Sequence, residues 1–348
     1  MESTRELLHR AAGSLREAGV PTPEVDAELL LAHVTGRQRA LLRMAGSSVS
    51  PEDSAVFAGL VSSRARRIPL QHLTGLAPFR HLELRVGPGV FIPRPETELM
   101  VDHVLGFLEE RHSEKQERGI PAQEPDTATP ASGTPATGSG RAGTLGATRQ
   151  GVPGAVVVDL CTGSAALALS IATEVPGSRV VAVELAPSAL EWARVNLAGQ
   201  AAAVAAADST VEIVAADATV VAGPGGVLEP LRGWVDIVVT NPPYVPDGAV
   251  PREAEVRDHD PGLALYGGPD GLDVVRQLAV QAALLLRPGG LLVVEHADVQ
   301  GEAAGESGVP GVLRAADGAS WTAVTDHLDF AGRPRHTSAR RAPDGGRP

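Results

Sequence analysis

Residues 155–172, AVVVDLCTGSAALALSIA, indicate an α/β fold, because a run of apolar β-formers passes through a short turn of small residues into a helical pattern. Four more apolar runs follow, separated by helical segments: RVVAVEL (179–185), VEIVAAD (211–217), VDIVVTN (235–241) and LLVVEH (291–296). Strands that are continuously apolar are typical of a parallel sheet that helices cover on both faces. We therefore predict an α/β domain over residues 155–338, with a Rossmann-like, mostly parallel sheet.

The N-terminal residues 1–75 show a different pattern, with apolar residues three to four positions apart in segments bounded by Gly, Pro or Ser. This pattern predicts a small N-terminal helical bundle as a separate domain. Residues 76–112 come next and contain LELRVGPGVFIPRPETE (82–98). That stretch predicts a β-hairpin turning at 87–89, followed by a connecting helix that begins at 96–98.

Two segments lack the composition of a folded domain. Residues 113–154 are rich in Pro, Gly, Thr, Ser and Ala and contain no aromatic residue, so burial cannot offset the entropy lost on ordering. We predict a disordered insert there and a disordered tail over 339–348. The segment WTAVTDHLDFAGRPRHTSAR (321–340) predicts two short strands around a turn.

Composition narrows the choice of partners. The single cysteine, Cys161, argues against a disulfide framework and a cysteine-based zinc site, and it is typical of a cytoplasmic protein. Residues 1–90 carry 11 Arg and 9 Asp/Glu, a net +2, whereas residues 151–348 carry 13 Arg and 24 Asp/Glu, a net −11. An acidic half repels a phosphate backbone, and only 3% of residues are aromatic, so no direct nucleic-acid partner is expected.

No membrane association is expected either. There is no charged-then-apolar leader at Met1, and no apolar run approaches the roughly 18 residues of a membrane span. We expect a cytoplasmic monomer.

Ligands of an open α/β sheet collect at the carboxyl ends of its strands, and the first strand here ends at Asp159. In the turn that follows, Thr162, Gly163 and Ser164 are predicted to place backbone N–H groups and hydroxyls at a helix start, where an anionic group is favoured. An ordinary βα turn has the same appearance, so the interpretation depends on the next two strands.

Two further acids end the second and third strands. Glu184 lies 21 positions after Gly163, close to the offset at which a strand-end carboxylate binds the hydroxyl pair of a ribose. Asp217 is placed to accept a hydrogen bond from the amino group of an adenine. Each acid alone fits a solvated strand end, but Asp159, Glu184 and Asp217 in series predict an adenosine site. Because phosphate-loop and dinucleotide glycine patterns are absent, the adenosine is expected to carry an amino-acid carboxylate, as in S-adenosylmethionine.

The fourth strand ends in Asn241-Pro242-Pro243-Tyr244, and two consecutive prolines cannot continue it. Proline fixes φ and has no N–H, so the loop presents carbonyl acceptors on a stiff backbone. If the Asn241 side-chain oxygen and the Pro242 carbonyl each accept a hydrogen from a planar nitrogen, that nitrogen faces the methyl group. Tyr244 then lies against the planar group. The pattern favours methyl transfer to such a nitrogen over a simple strand-ending turn.

These motifs resemble the HemK/PrmC type of class I methyltransferases, the peptide chain release factor glutamine N(5)-methyltransferases. The resemblance rests on six stretches: GVFIPRPETELMVD (89–102), DLCTGSAALALSIA (159–172), NPPYVP (241–246), EVRDHDPGLALYGGPDGLDVVRQL (255–278), RPGGLLVVEH (287–296) and LDFAGRPRHT (328–337). It implies a class I methyltransferase sheet with an antiparallel last strand. It also implies methyl transfer from S-adenosylmethionine to the glutamine side-chain amide in the Gly-Gly-Gln motif of class I release factors, which residues 1–75 would help to hold.

Position by position, the resemblance places the cofactor loop on Cys161–Ala165, the ribose acid on Glu184 and the amide-binding loop on Asn241–Tyr244. Ala165 stands where this loop usually ends in glycine. Ala218 stands where an aromatic residue often follows the third acid, and so it is a cofactor-site position.

Arg94 and Glu96 are further candidates for the substrate site, although an ion pair between hairpin and helix explains them equally well. No metal site is predicted, since His259 and the acids of EVRDHDPG (255–262) have the irregular spacing of a polar loop. Two other functions share these features. One is an amine methyltransferase that acts on a DNA or RNA base, which the charge distribution opposes. The other is a non-catalytic binding protein, which the two alanines would fit.

Overall fold

The computed structural model describes residues 2–44, 48–117, 154–316 and 321–343. The chain divides into two compact units. The first comprises Met1–Pro78, Glu83–Ile92 and Ala249–Gly262, and the second comprises Phe79–Leu82, Pro93–Gly248 and Leu263–Pro348. No helix within the described ranges has both the length and the apolar character needed to cross a membrane.

The first unit is mainly helical. Its N-terminal elements are β1 (Glu2–Ser3), α1 (Thr4–Glu17), α2 (Pro23–Thr35), α3 (Arg39–Leu42), β2 (Ser48–Val49), α4 (Pro51–Ala65) and α5 (Leu70–Thr74). Apolar residues on α1, α2 and α4 form one buried cluster, with Leu15, Leu30, Leu31 and Phe57 at most 2% exposed. The bundle predicted from helical spacing is therefore confirmed, and the single-turn α5 is added to it.

A short hairpin follows the bundle, and it lies earlier in the chain than the sequence predicts. Its strands are β3 (Leu76–Phe79) and β4 (Leu82–Arg85), so the turn falls at Arg80–His81 and the prediction of a turn at 87–89 is wrong. Arg80 has a φ of +52°, and its side chain binds Glu174 (2.5 and 2.6 Å) and Asp102 (2.7 Å). These charge-assisted bonds offset the unfavourable left-handed backbone, a contribution that local turn propensity does not include.

The second unit is built on a seven-stranded sheet of order β10-β11-β9-β8-β5-β6-β7. Its strands are β5 (Val156–Leu160), β6 (Arg179–Glu184), β7 (Thr210–Ala215), β8 (Val235–Thr240), β9 (Leu286–Glu295), β10 (Trp321–Leu328) and β11 (Pro334–Arg341). Strands β5 to β9 pair in parallel, whereas β11 is antiparallel to both of its neighbours. This arrangement confirms the predicted fold class, including the antiparallel last strand.

Seven further helices follow along the described part of the chain, and one of them, α9, belongs to the first unit. The elements are α6 (Glu98–Glu117), α7 (Ala166–Glu174), α8 (Pro187–Ala206), α9 (Ala254–His259), α10 (Gly262–Leu265), α11 (Asp273–Leu285) and α12 (Val309–Ala315). Single-turn or short 3₁₀ helices lie at Pro95–Thr97, Glu229–Leu231, Asp298–Gln300 and Glu302–Ser307. Every residue of β8 is buried, as expected for a central parallel strand covered on both faces.

Residues 249–262, which contain α9, group with the first unit, although the sequence placed them in the α/β domain. Glu255 on α9 accepts from Arg64 (2.7 Å) and Arg67 (2.6 Å), and Arg64 also binds Asp26 (2.7 Å). Arg64 and Asp26 are both about 5% exposed, so this network is largely shielded from water. Partly buried charges need such partners. The ion pairs of this network join residues 249–262 to α2 and α4.

The predicted boundaries of the unstructured segments also differ from the structure. Helix α6 continues to Glu117, five residues into the range assigned to the insert, and 118–153 lie outside the described residues. Residues 339–341 are not a tail, because Ala339 pairs with Leu292 and Arg341 pairs with Trp321. The remainder of the predicted tail, from 344, again lies outside the described residues.

Candidate active site

The candidate site lies where the strand order reverses, between β5 and β8. Leu160 and Thr240 are paired at the carboxyl ends of these parallel strands, and the Thr240 hydroxyl donates to the Leu160 carbonyl (2.7 Å). The turn Cys161–Ala165 and the loop Asn241–Tyr244 therefore begin side by side at one sheet edge. Such a reversal opens the crevice in which α/β sheets bind ligands.

The turn after β5 has a strained backbone. Cys161, Gly163 and Ala165 have φ values of +61°, +58° and +66°. Only glycine adopts this region freely, so Cys161 and Ala165 each carry an unfavourable contribution of about 1–2 kcal/mol. Ala165 directly precedes α7, at the position where the resemblance leads one to expect glycine. The strain that this alanine adds is thus visible in the backbone.

The amides of this turn have partners within the chain. Thr162 N–H donates to the Val183 carbonyl (2.9 Å), and Gly163 N–H donates to Glu184 Oε2 (2.8 Å). The Ser164 carbonyl accepts from the Asn196 side chain (3.0 Å). The expectation that the Thr162 and Gly163 amides receive an anionic ligand is therefore wrong. They instead fix the position of Glu184 and the end of β6.

Asp159 is almost completely buried, at 1% exposure. Its Oδ2 accepts from the Thr162 hydroxyl (2.5 Å) and the Ala168 N–H (3.2 Å), whereas its Oδ1 has no partner among the described residues. Burial raises the pKa of Asp159 to about 7, against the lowering effect of those two hydrogen bonds. A buried carboxylate oxygen without a donor is unfavourable, and it fits a site that a ligand or its bound water completes.

Glu184 and Asp217 stand at the ends of the next two strands, as predicted. The Glu184 carboxylate accepts from three backbone amides, those of Gly163 (2.8 Å), Leu185 (2.9 Å) and Ala186 (2.8 Å). Its charge is thereby held in one orientation, which suits it to accept from a pair of ribose hydroxyls.

Asp217 is exposed and is fixed by its own turn. Its Oδ1 accepts from the Thr219 N–H (2.9 Å) and hydroxyl (2.6 Å), so its second oxygen is the one oriented to accept from a ligand. Ala218 is only 6% exposed and packs in an apolar cluster with Val221 and Ala222. The Ala218 methyl is therefore part of the apolar core, and its place in the cofactor site stays a prediction.

The Asn241–Tyr244 loop is held by the segment 265–271. Two glycines approach its carbonyls closely: a Cβ on Gly267 would lie 2.4 Å from the Pro243 oxygen, and one on Gly271 would lie 2.2 Å from the Tyr244 oxygen. Gln300 also donates to the Tyr244 carbonyl (2.9 Å). Only glycine fits at such distances, which explains the glycines of YGGPDG (266–271).

A buried hydrogen-bond chain orients the Asn241 amide. The Thr97 hydroxyl donates to Glu295 Oε2 (2.5 Å) and accepts from Asn241 Nδ2 (3.5 Å). The Tyr244 hydroxyl donates to the other oxygen of Glu295 (3.3 Å). When Glu295 is ionised, Thr97 gives it its only hydrogen and can only accept from Asn241, which orients the Asn241 side-chain oxygen away from Thr97.

Glu295 and Thr97 are two candidate site residues that the sequence analysis does not include. Glu295 ends β9, beside β8, and in the sequence it follows an apolar strand pattern. The signal that could have identified it is the same one used for Asp159 and Glu184, an acid at the carboxyl end of a buried strand. In the sequence Thr97 has only the appearance of a helix start.

The two weaker candidates, Arg94 and Glu96, lie near the hydrogen bonds that link Glu295, Thr97 and Asn241. The Arg94 carbonyl accepts from the Thr97 N–H (3.1 Å), and the negative charge of Glu96 raises the pKa of Glu295. The structure therefore brings both residues to the Thr97–Glu295 pair, where they influence its position and charge.

Burial raises the pKa of Glu295 to about 7, while the Thr97 hydrogen bond and the Arg335 charge oppose the shift. Between the unfolded pKa of about 4.3 and pH 7, the folded chain therefore holds a proton that the unfolded chain has lost. We expect the free energy of unfolding to fall through this window by about 3 kcal/mol on account of Glu295, and to level off above it. Glu295→Gln lacks this contribution.

The measurement is urea unfolding of wild type and Glu295→Gln at several pH values between 4.5 and 8. The stability of the variant relative to wild type should rise with pH by about 3 kcal/mol, since Asp159 contributes equally to both. Parallel pH profiles for the two proteins would contradict the buried, protonatable state of Glu295.

A seven-stranded sheet of this order, with acids at the ends of its first three strands and Asn-Pro-Pro-Tyr after the fourth, defines a class I methyltransferase. Residues 6–75 match the family model described as the PrmC N-terminal domain. The chain is 42% identical over 340 residues to the release factor glutamine methyltransferase of Bifidobacterium longum, covering 96% of this chain and 98% of that protein. It is 42% identical over 341 residues to the enzyme of the same name from Mycolicibacterium smegmatis, covering 98% and 99%. The chain belongs to the release factor glutamine methyltransferase family.

A third relative, the release factor glutamine methyltransferase of Streptomyces coelicolor, is 40% identical over 337 residues, with 96% of each chain covered. Among solved structures, the chain is similar to a Thermus thermophilus 16S rRNA N2 G1207 methyltransferase at 20% identity and a TM-score of 0.41. That similarity covers 76% of this chain and 49% of the other.

Proposed function

We propose that the chain transfers a methyl group from S-adenosylmethionine to the side-chain amide nitrogen of the glutamine in the Gly-Gly-Gln motif of class I release factors. The observation that carries the proposal is the series of hydrogen bonds from Glu295 through Thr97 to Asn241. These bonds orient a side-chain amide on a proline-stiffened loop. Family membership supports the same substrate.

The residues present fit the cofactor. Glu184 would accept from the ribose hydroxyls and Asp217 from the adenine amino group, while the unpartnered Oδ1 of Asp159 would gain a donor directly or through water. When bound, S-adenosylmethionine supplies an electrophilic methyl group on a sulfonium. The three acids come from the ends of three adjacent parallel strands, β5, β6 and β7, so the sheet itself sets their spacing.

The substrate amide would be held by two acceptors. The Asn241 side-chain oxygen and the Pro242 carbonyl each take one hydrogen of the amide nitrogen, which fixes the plane of the group. Positive charge that develops on the nitrogen is stabilised by these acceptors and by the nearby Glu295 carboxylate. Burial and the charge of Glu295 raise the pKa of Tyr244, so its hydroxyl remains a donor to Glu295. The methylated nitrogen then loses its proton to water.

A protein amide is favoured over a nucleic-acid base. Both present a planar nitrogen with two hydrogens, but residues 151–348 carry a net charge of −11, which disfavours a polyanionic substrate. The family is named for action on a release factor.

The test is incubation of the purified chain with methyl-labelled S-adenosylmethionine and either a class I release factor or its Gly-Gly-Ala variant. We expect label in the wild-type release factor alone. Label in both proteins, or only in added RNA or DNA, would overturn the glutamine assignment. Asn241→Ala serves as the enzyme control, since it should bind the cofactor but transfer the label about 10²–10³-fold more slowly.

A further inference from the structure

Three histidines that the methyl-transfer site does not use converge on one face of the sheet. His103 lies on α6, His327 on β10 and His336 on β11, and one ring nitrogen from each lies within 4.8 Å of the others. His327 and His336 are directly opposite each other in the β10–β11 ladder, with ring centroids 4.8 Å apart. The His103 ring lies 4.3 Å from that of His327 and 5.6 Å from that of His336.

His336 is the least satisfied member of this histidine cluster. It is 3% exposed, and neither of its ring nitrogens has a hydrogen-bond partner among the described residues. Each buried polar atom left in this state is unfavourable by about 1–3 kcal/mol. The His336 ring is stacked on the His327 ring and lies edge-on to the His103 ring, and neither imidazole forms a hydrogen bond with it. A ligand that these imidazoles bind in common would supply the missing partner.

His327 is already oriented for such a partner. Its Nε2 bonds the Ser338 hydroxyl (2.8 Å), so its Nδ1 is the nitrogen left for the cluster. A hydrogen bond to the second ring nitrogen is the usual means by which proteins orient a metal-binding histidine. Burial, followed by the charges of the other histidines, lowers the pKa of His336 to about 3, and burial lowers that of His103 to about 4. Both rings are therefore neutral at pH 7, with free lone pairs.

We propose that His103, His327 and His336 form a binding site for a divalent transition-metal ion of the Zn²⁺ type. Three neutral imidazoles suit Zn²⁺, Ni²⁺ or Cu²⁺, and the absence of a carboxylate from the cluster disfavours Mg²⁺ and Ca²⁺. Zn–N bonds of about 2.0–2.1 Å require the ring nitrogens to approach one another by up to about 1.5 Å, which rotation of the side chains provides.

The proposed ion would join α6 to the β10–β11 hairpin. His336 is also paired with Glu295 across β11 and β9, so the site lies one strand from the carboxylate that orients Thr97. One positive group opposes metal binding: Arg340 lowers the pKa of His103, but its guanidinium is stacked on the Phe107 ring at 3.9 Å. The site is thus structural, linking elements around the active site without touching the reacting atoms.

The test is titration of the metal-stripped, full-length chain with Zn²⁺ in competition with a chromophoric chelator. We expect one Zn²⁺ per wild-type chain with a Kd of about 1 μM or below, and at least a tenfold loss for His103→Gln and His336→Gln. His9→Gln is the matched control, since His9 is exposed on α1, and it should bind as wild type does. Co²⁺ should give the visible absorption of a tetrahedral, nitrogen-ligated ion in wild type and control only.

Loss of fold in a variant is separated from loss of a ligand by circular dichroism and thermal melting. Zn²⁺ should raise the Tm of wild type and His9→Gln but not that of His103→Gln, whose substitution on a half-buried helix position leaves the sheet intact. The proposal is overturned if wild type binds no Zn²⁺ at micromolar concentration, or if His103→Gln and His9→Gln bind it equally. Neither readout depends on methyl transfer.

Discussion

Asn241→Ala is expected to lower the rate of methyl transfer by about 10²–10³-fold while leaving cofactor affinity within about tenfold. The alanine removes the side-chain oxygen that would accept from the substrate amide, but it leaves Asp159, Glu184 and Asp217 in place. The end of β8 is held independently by the Thr240 hydrogen bond to Leu160, and the loop that follows it by the Gln300 bond to the Tyr244 carbonyl. The measurement is single-turnover transfer to a release factor, alongside calorimetric binding of the cofactor.

Thr97 provides matched controls for this experiment. Thr97→Val keeps the shape but removes the hydroxyl between Glu295 and Asn241, so transfer should fall by roughly tenfold through loss of orientation. Thr97→Ser retains the hydroxyl and should stay close to wild type. Undiminished turnover in Asn241→Ala would remove this residue from the mechanism, and equal activity in the two Thr97 variants would exclude the proposed orienting role.

Gly271→Ala is expected to be nearly as damaging, although residue 271 lies outside the motif that forms the amide-binding loop. Its Cβ would lie 2.2 Å from the Tyr244 oxygen and 2.9 Å from Gln300 Nε2, and the residue has a φ of +79°. The loop must therefore shift, and a displacement of about 1 Å at a reacting group lowers rates by about 10²-fold. We also expect the free energy of unfolding to fall by about 2–4 kcal/mol from strain and overlap.

Gly248→Ala is the control for this substitution. Gly248 follows the same loop, but a Cβ there has no atom within 4 Å and the residue has no left-handed backbone. Its turnover and its unfolding in urea should match wild type. If Gly271→Ala transferred methyl groups at the wild-type rate, the close approach of residue 271 would not be what positions Tyr244.

The contrast between residues 241 and 271 shows how much of the site can be predicted from the sequence. Asn241 was identified because two prolines and a preceding apolar strand are local features with a direct physical meaning. Gly271 was quoted within a motif but had no role, because the carbonyl that it approaches is 27 positions away in the sequence. The role of Glu295 cannot be predicted from the sequence for the same reason, since its partner Thr97 is 198 positions away.

Some local signals also misled. Gly87, Pro88 and Gly89 are strong turn formers, yet the hairpin turns at Arg80, where ion pairs to Glu174 and Asp102 offset an unfavourable φ. Likewise, the turn containing Thr162 and Gly163 has the composition of an anion site. The amides of these two residues already donate to the Val183 carbonyl and the Glu184 carboxylate. In both cases a tertiary partner outweighed a local preference.

The class of sheet, the order of the acids at its strand ends and the stiff acceptor loop at Asn241–Tyr244 can all be predicted from local sequence patterns. These properties follow from apolar periodicity and proline geometry, which act over a few residues. The folded structure is needed to show how that loop is held, through Thr97, Glu295, Gly267 and Gly271. It is also needed to show that His103, His327 and His336 lie together. Hydrogen-bond direction and close packing depend on distances between atoms of residues that are far apart along the chain. Local sequence patterns do not determine those distances.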